Sequence, residues 1–279
     1  LKKLLLPGLT NNMATGPVNE NPTPDNSFAL ALYHPLATFL AGFRFLTIIP
    51  VSWNQDKDGR FFKASLIWFP ILGLFIGGVT VLAVFFLVGK LPIAVTTVFA
   101  MLLLAGLSGC LHLDGLADSF DGLLSSRPRS RALEIMRDSH IGAMGVIALF
   151  FVLLGKYAAL SSLSGTALLQ ALLLVPMAGR TAIVLTMAIL PYARSGDGLG
   201  LLFYSTGTRR IAILTTLCCL VISGLVSFSS LCIVLVGILV IVILFGIWCY
   251  SKLGGATGDT LGAVCELTEL SVAVGFCFL

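Results

Sequence analysis

Charge is what this chain has least of. Only 11% of its 279 residues are charged, against about 25% in an average soluble domain, whereas 57% are hydrophobic and the mean hydropathy is +1.02. Such a composition cannot cover a water-soluble surface, which excludes an ordinary soluble enzyme. The excess of base over acid is small, 17 against 13, and the bases lie mostly between apolar runs, so nucleic acid is not an expected partner. There are only three histidines, and the seven cysteines form no CxxC pair. That leaves no zinc frame and no disulfide frame, so the cysteines read as small packing residues. Continuous apolar runs in place of alternating strands exclude a membrane barrel.

What is present is a series of apolar segments long enough to cross a bilayer. About 20 residues of helix are needed per crossing, and the runs fall near residues 28–49, 64–88, 93–111, 141–161, 166–190, 211–228 and 231–250, with a last one from 260 to the end. The expected fold is all-α: a polytopic bundle of about seven or eight membrane helices. Residues 1–27, rich in Asn, Pro, Gly and Thr, read as a disordered leader, and 28–279 as one helical membrane catalytic domain. The first run is interrupted by His34-Pro35 and Arg44, so it reads as a full, kinked or re-entrant span. If the charged loop before Lys63 is cytoplasmic, alternating spans place Arg127, Arg129, Arg131, Arg137, Arg194, Arg209, Arg210 and Lys252 on the same side.

The thirteen acids are unevenly spent. Asp114, Asp118 and Asp121 fall at i, i+4 and i+7, which on a helix confines them to a sector of roughly 60°. No base lies between Lys90 and Arg127 to pair with them. Glu134 and Asp138 form a second group, and Asp259, Glu266 and Glu269 a third that runs into an apolar segment. A carboxylate at the centre of a membrane helix costs about 2.5–3.5 kcal/mol on insertion scales, so these acids need a reason to be there. Hard oxygen ligands without His or Cys support select Mg²⁺, Mn²⁺ or Ca²⁺, and Mg²⁺ commonly shares its shell with substrate phosphates. Arginines suit phosphate recognition. The expected metal ligands are Asp114, Asp118, Asp121, Asp259 and Glu266, with Mg²⁺ as cofactor. Arg44, Arg137, Asp138, Arg180 and Gly258 are expected on the substrate, Gly258 within a Gly254-Gly-Ala-Thr-Gly-Asp259 turn that offers backbone N–H groups. Asp114, Asp118, Asp121 and His112, two residues before the first aspartate, are the candidates for proton chemistry. Carboxylates, metal and arginines together point to phosphoryl transfer.

Four stretches in order carry a resemblance. They are Phe43-Arg44-Phe-Leu-Thr47-Ile-Ile-Pro50-Val51, Gly109-Cys-Leu-His112-Leu-Asp114-Gly-Leu-Ala-Asp118-Ser-Phe-Asp121-Gly122, Leu133-Glu134-Ile-Met-Arg137-Asp138-Ser-His140-Ile-Gly142-Ala-Met-Gly145 and Thr257-Gly258-Asp259-Thr-Leu-Gly262-Ala-Val-Cys-Glu266-Leu-Thr-Glu269. Together they resemble the signatures of the cobalamin synthase family, the adenosylcobinamide-GDP ribazoletransferases. Ile48 and His140 depart from that pattern, which commonly has arginine there. The resemblance implies a Mg²⁺-dependent enzyme of the inner (cytoplasmic) membrane whose active face meets the cytosol. It would join α-ribazole, or its 5′-phosphate, to adenosylcobinamide-GDP with release of GMP, alongside other cobalamin-assembly enzymes.

Two rival readings make different demands. A CDP-alcohol phosphotransferase also begins its motif Asp-Gly, but needs Arg where this chain has Asp118, and a further spacing of acids that is missing. A cation-coupled transporter should carry acids near mid-membrane in paired repeats. Here they collect at helix ends, and no internal repeat is evident.

Overall fold

The computed structural model describes residues 27–51, 61–194, 199–205 and 207–279. The leader, the charged loop over 52–60 used for orientation, and Asp197 lie outside the described residues. Within them the chain is helical, with no extended sheet strand beyond two isolated bridges.

Most apolar runs become single helices, that over Gly165–Ile189 continuing through Pro176, and two are broken. The first is interrupted at His34-Pro35: α1 (Ser27–Tyr33) meets α2 (Pro35–Leu46) at a bend of 109°. Proline cannot continue the preceding hydrogen-bond ladder but suits the first turn of a new helix. A short helix, α3 (Phe62–Ser65), leads through one 3-10 turn into α4 (Phe69–Leu87).

The run expected to end near Leu111 is also broken. Helix α5 (Ile93–Leu107) stops at Ser108, and Gly109 and Cys110 both take left-handed backbone angles, φ 58° and 55°. Cysteine is an uncommon residue there. The pair turns the chain by 86° into α6 (Leu111–Leu123), which carries the three aspartates. The motif therefore occupies its own helix, set across the preceding one.

A short α7 (Arg129–Ile135) precedes α8 (Ala143–Ser162), α9 (Gly165–Ile189), α10 (Thr208–Val226), α11 (Phe228–Leu253) and α12 (Gly258–Phe276). Among the described residues five segments are long and apolar enough to cross a membrane, or up to seven if each bent pair is one span. Helix α12, read from sequence as a further span, is set apart by its three acids, and it packs among α6, α8, α9 and α11.

Helix α9 is the axis of the bundle: 78% of its apolar stretch is buried, against 28–39% for the other spans. It approaches α4 closely because Gly73 and Gly77 sit against the backbone of Pro176 and of Leu172-Leu173. A Cβ added at Gly73 would lie 2.4 Å from the Pro176 carbonyl oxygen. Small residues that let backbones touch are the usual device of membrane helix packing. The outer faces carry exposed Phe85, Phe86, Phe150, Phe151, Leu225 and Leu244, a shell suited to lipid. The charged groups Lys156, Arg180, Glu266 and Glu269 are buried inside.

Candidate functional site

Two of the four sequence stretches meet directly. Helix α6 crosses α12 where Gly115 faces Asp259 and Gly262 faces His112. A Cβ at Gly115 would stand 2.7 Å from the Asp259 carbonyl oxygen, and one at Gly262 would stand 3.1 Å from that of His112. The separation of about 140 residues in the chain is closed by these two glycines. The start of α12 is fixed by reciprocal bonds: the Thr257 amide donates to the Thr260 hydroxyl at 2.7 Å, and the Thr260 amide to the Thr257 hydroxyl at 3.2 Å. The glycine turn before it is pinned to 191–193, with the Ala193 amide donating to the Ala256 carbonyl at 2.8 Å and the Ala256 amide to the Pro191 carbonyl at 2.9 Å. That pairing carries Arg194 to Asp259, and the guanidinium donates to the carboxylate at 2.7 Å.

The three aspartates of α6 diverge in what they do. Asp114 is exposed and Asp118 half-buried. Asp121 accepts the Gly142 amide at 2.7 Å through one oxygen and the Gly145 amide at 2.9 Å through the other. These are N–H groups at the start of α8, which have no intrahelical partner, so a carboxylate from a neighbouring helix caps them. Both glycines are required by that contact, since a Cβ at either would come within 2.5 Å of an Asp121 carboxylate oxygen. The geometry thus gives Asp121 a structural task that its place in the triplet did not announce.

The third acid group is likewise engaged. Lys156, on α8, donates to Glu266 at 2.5 Å and to Glu269 at 2.6 Å. Arg180, on α9, pairs with Glu269 and donates to the Ser108 hydroxyl at 2.6 Å. Two cations and two carboxylates make a neutral quartet inside the bundle, tied to the turn between α5 and α6. Arg180, expected on the substrate, and Glu266, expected on a metal, both belong to it. Neither Lys156 nor Glu269 was selected from sequence as a site residue, although Lys156 is the lone charge in the run 141–161, which was signal enough.

The cavity that gathers residues of these stretches, about 360 Å³, opens where α2, α6, α9 and α12 converge, and a second one of about 570 Å³ shares Arg137 and Arg194 with it. Arg137, Arg194, Asp259, Gly258 and His112 line the first of these. His112 is buried, and its Nδ1 has no hydrogen-bond partner among the described residues. The same imidazole lines a much smaller cavity of about 20 Å³ beside the quartet. Phe45 lines the cavity of about 360 Å³ and its neighbour Arg44 does not.

Asp138 does not line the cavity either. It is exposed and accepts both the His140 amide, at 3.1 Å, and the His140 ring Nδ1, at 2.6 Å. Those bonds hold its carboxyl below the usual carboxylate range. Several bases of the same region act as clasps. Arg129 donates to the carbonyls of Leu253 and Ala193 at 2.6 and 2.7 Å, and Lys252 to those of Ser125 and Arg127 at 2.8 and 3.0 Å.

Among the described residues no three His, Cys, Asp or Glu side chains form a group able to hold a metal ion. The five expected ligands are divided: Asp121 caps α8, Asp259 meets Arg194, and Glu266 meets Lys156. Asp114 and Asp118 lie one turn apart on α6, a spacing compatible with Mg²⁺ in its common mode of one or two carboxylates completed by substrate phosphates.

Residues 38–277 match the family model described as cobalamin-5-phosphate synthase. Among curated relatives, the adenosylcobinamide-GDP ribazoletransferase of Thermoanaerobacter pseudethanolicus is 38% identical over 239 residues, covering 84% of this chain and 94% of the relative. Those of Clostridium acetobutylicum and Citrobacter koseri are 36% and 38% identical, covering 81% and 80% of this chain and 90% and 91% of the relatives. No solved structure matches the chain.

Proposed function

The chain belongs to the cobalamin-5-phosphate synthase family, and from that premise we propose how its cavity performs the transfer. The enzyme is an adenosylcobinamide-GDP ribazoletransferase, acting at the final step of nucleotide-loop assembly in cobalamin biosynthesis. The observation that carries the mechanism is the convergence of His112, Arg137 and Asp259, from three separate sequence stretches, on one cavity.

A ribose hydroxyl of α-ribazole, or of its 5′-phosphate, attacks the cobinamide-side phosphorus of adenosylcobinamide-GDP. A new O–P bond forms, the bond to the bridging oxygen breaks, and GMP leaves with that oxygen. Arg137 and Arg194 neutralise the charge gathering on the departing phosphate, as fixed guanidiniums do without reorganising. Asp259 holds the Arg194 guanidinium in place through their hydrogen bond. The buried His112, whose Nδ1 has no partner, accepts the proton of the attacking hydroxyl. Asp114 and Asp118 would hold Mg²⁺, which when bound neutralises the diphosphate and favours its cleavage. We place the cavity at the cytoplasmic face of the inner membrane, on the distribution of bases, and expect other cobalamin-assembly enzymes as neighbours there.

The test is GMP release by the purified protein in liposomes. Release should require adenosylcobinamide-GDP, α-ribazole or its phosphate, and Mg²⁺ together. Release independent of the metal would remove Asp114 and Asp118 from this role, and cation flux without release would favour a transporter.

A further inference from the structure

The polar residues account for only part of the lining of the cavity. Its apolar lining includes Phe45 of α2, which is half-buried, with Phe203 and, at the first turn of α4, Phe69 buried behind it. The Phe203 ring centroid lies 4.7 Å from that of Phe45 and 5.8 Å from that of Phe69, in tilted and edge arrangements. Ile183 and Met187, one turn apart on α9, complete this end. It offers no carboxylate, amide or guanidinium.

From this lining, and resting on the activity proposed above, we infer that the apolar end is the subsite for the aromatic base of the ribazole substrate. The ribose is thereby directed to the rim of Arg137, Arg194 and Asp259.

Three physical arguments single out that occupant. Size is the first: about 360 Å³ lies at the small end of ligand cavities and suits a nucleoside of roughly 20 non-hydrogen atoms, whereas a corrin macrocycle is several times larger. Polarity is the second. Guanine presents donors and acceptors along its edges, and burying them against phenylalanine without partners is costly. A dimethylbenzimidazole presents flat apolar faces and methyl groups, and gains from offset and edge contacts with phenylalanine rings. Connectivity is the third. A riboside with its base on the Phe45 side and its sugar towards the Arg137 side spans the cavity once, and its hydroxyl arrives beside the groups that handle phosphate.

The broken first segment thereby gains a task. Because α2 starts afresh at Pro35, Phe45 sits at its far end, in the cavity wall.

The experiment compares α-ribosides of 5,6-dimethylbenzimidazole, unsubstituted benzimidazole and the larger naphthimidazole in the liposome assay. The parent is set beside Phe45→Ala, which enlarges the end from a half-buried position, and Met187→Phe, which narrows it. Phe45→Ala should raise KM for α-ribazole about tenfold and relax discrimination against the naphthimidazole riboside. Met187→Phe should shift preference towards unsubstituted benzimidazole. In both, KM for adenosylcobinamide-GDP should stay within about twofold. Opposite changes in base preference cannot come from partial misfolding. Unchanged base preference in both variants, or a rise in KM confined to adenosylcobinamide-GDP, overturns the inference. If the parent itself releases no GMP, the reaction reading fails, and equilibrium dialysis of α-ribazole decides the subsite separately. Binding by the parent that weakens about tenfold in Phe45→Ala supports it, and absence of binding overturns it.

Discussion

Lys156→Met should be the most damaging single change in the bundle. Its ammonium is buried and contacts Glu266 at 2.5 Å and Glu269 at 2.6 Å. Glu269 keeps Arg180 when the lysine is lost, but Glu266 has no other ion-pair partner among the described residues. The variant therefore leaves a net negative charge inside the bundle. Removing one partner of a buried pair costs about 3–5 kcal/mol, because the survivor is desolvated and uncompensated. With about 2–4 °C of melting temperature per kcal/mol in a chain of this size, Tm should fall by about 6–20 °C. Neutralising the orphan in Lys156→Met/Glu266→Gln restores charge balance and should recover most of the loss. Tryptophan fluorescence in detergent, heated at one fixed rate, reads all four members of the cycle. A Lys156→Met variant melting within about 2 °C of the parent, or a double variant no better than the single, would refute the assignment of Glu266 to Lys156. The concentration of Mg²⁺ that half-activates GMP release should be the same in the double variant as in the parent. A large increase would return Glu266 to the metal site.

Other consequences separate structural from chemical acids. Asp121→Asn, which loses one of two caps on α8, should lower Tm in proportion to about 1 kcal/mol while kcat for GMP release stays within about threefold. Asp114→Asn should lower kcat at least about a hundredfold with little change in Tm, a loss typical of removing electrostatic stabilisation. Arg194→Gln breaks the bond to Asp259 and should reduce kcat/KM for adenosylcobinamide-GDP about tenfold or more, with the Michaelis constant for α-ribazole unaffected. Asp138→Asn should leave turnover intact, because the carboxylate is exposed and engaged with His140. Its lowered pKa fixes the sign of the pH effect. The contact is fully present above the ordinary carboxylate value near about pH 4 and is lost as the pH falls through the lower folded value, which amide exchange at His140 should follow.

Much of this was legible in the sequence, and the parts that were not share a cause. The apolar runs fixed the all-α membrane class, and spacing put Asp114, Asp118 and Asp121 on one helix. Spacing alone cannot say which way each carboxylate is used. Asp121 sits a turn beyond Asp118 and meets the start of α8, a contact that depends on Gly142 and Gly145 lying 21 and 24 residues further on. The bend after Leu107 was hidden inside a run that reads as one segment, since its signal is the left-handed pair Gly109-Cys110 and cysteine rarely announces such a turn. Phe203 and Phe45 are ordinary apolar residues until the fold brings their rings to 4.7 Å.

The quartet explains how acids can lie deep in α12. A helix with Asp259, Glu266 and Glu269 is a poor membrane span on composition, yet it is buried between α8 and α9, each of which supplies one cation. The cations neutralise the inner two acids and leave Asp259, at the helix start, to face Arg194 and the cavity. Position along one helix thus separates two settings: the interior turns carry charge paired inside the bundle, and the first turn carries it at the cavity. His112 lies at the boundary, lining both that cavity and the small one beside the quartet. A change in the quartet that shifts α12 therefore reaches the reacting groups through Gly262 and His112. For that reason Lys156→Met/Glu266→Gln, which restores charge balance, should recover turnover together with Tm, whereas Gly262→Leu, which forces α6 and α12 apart, should lower both.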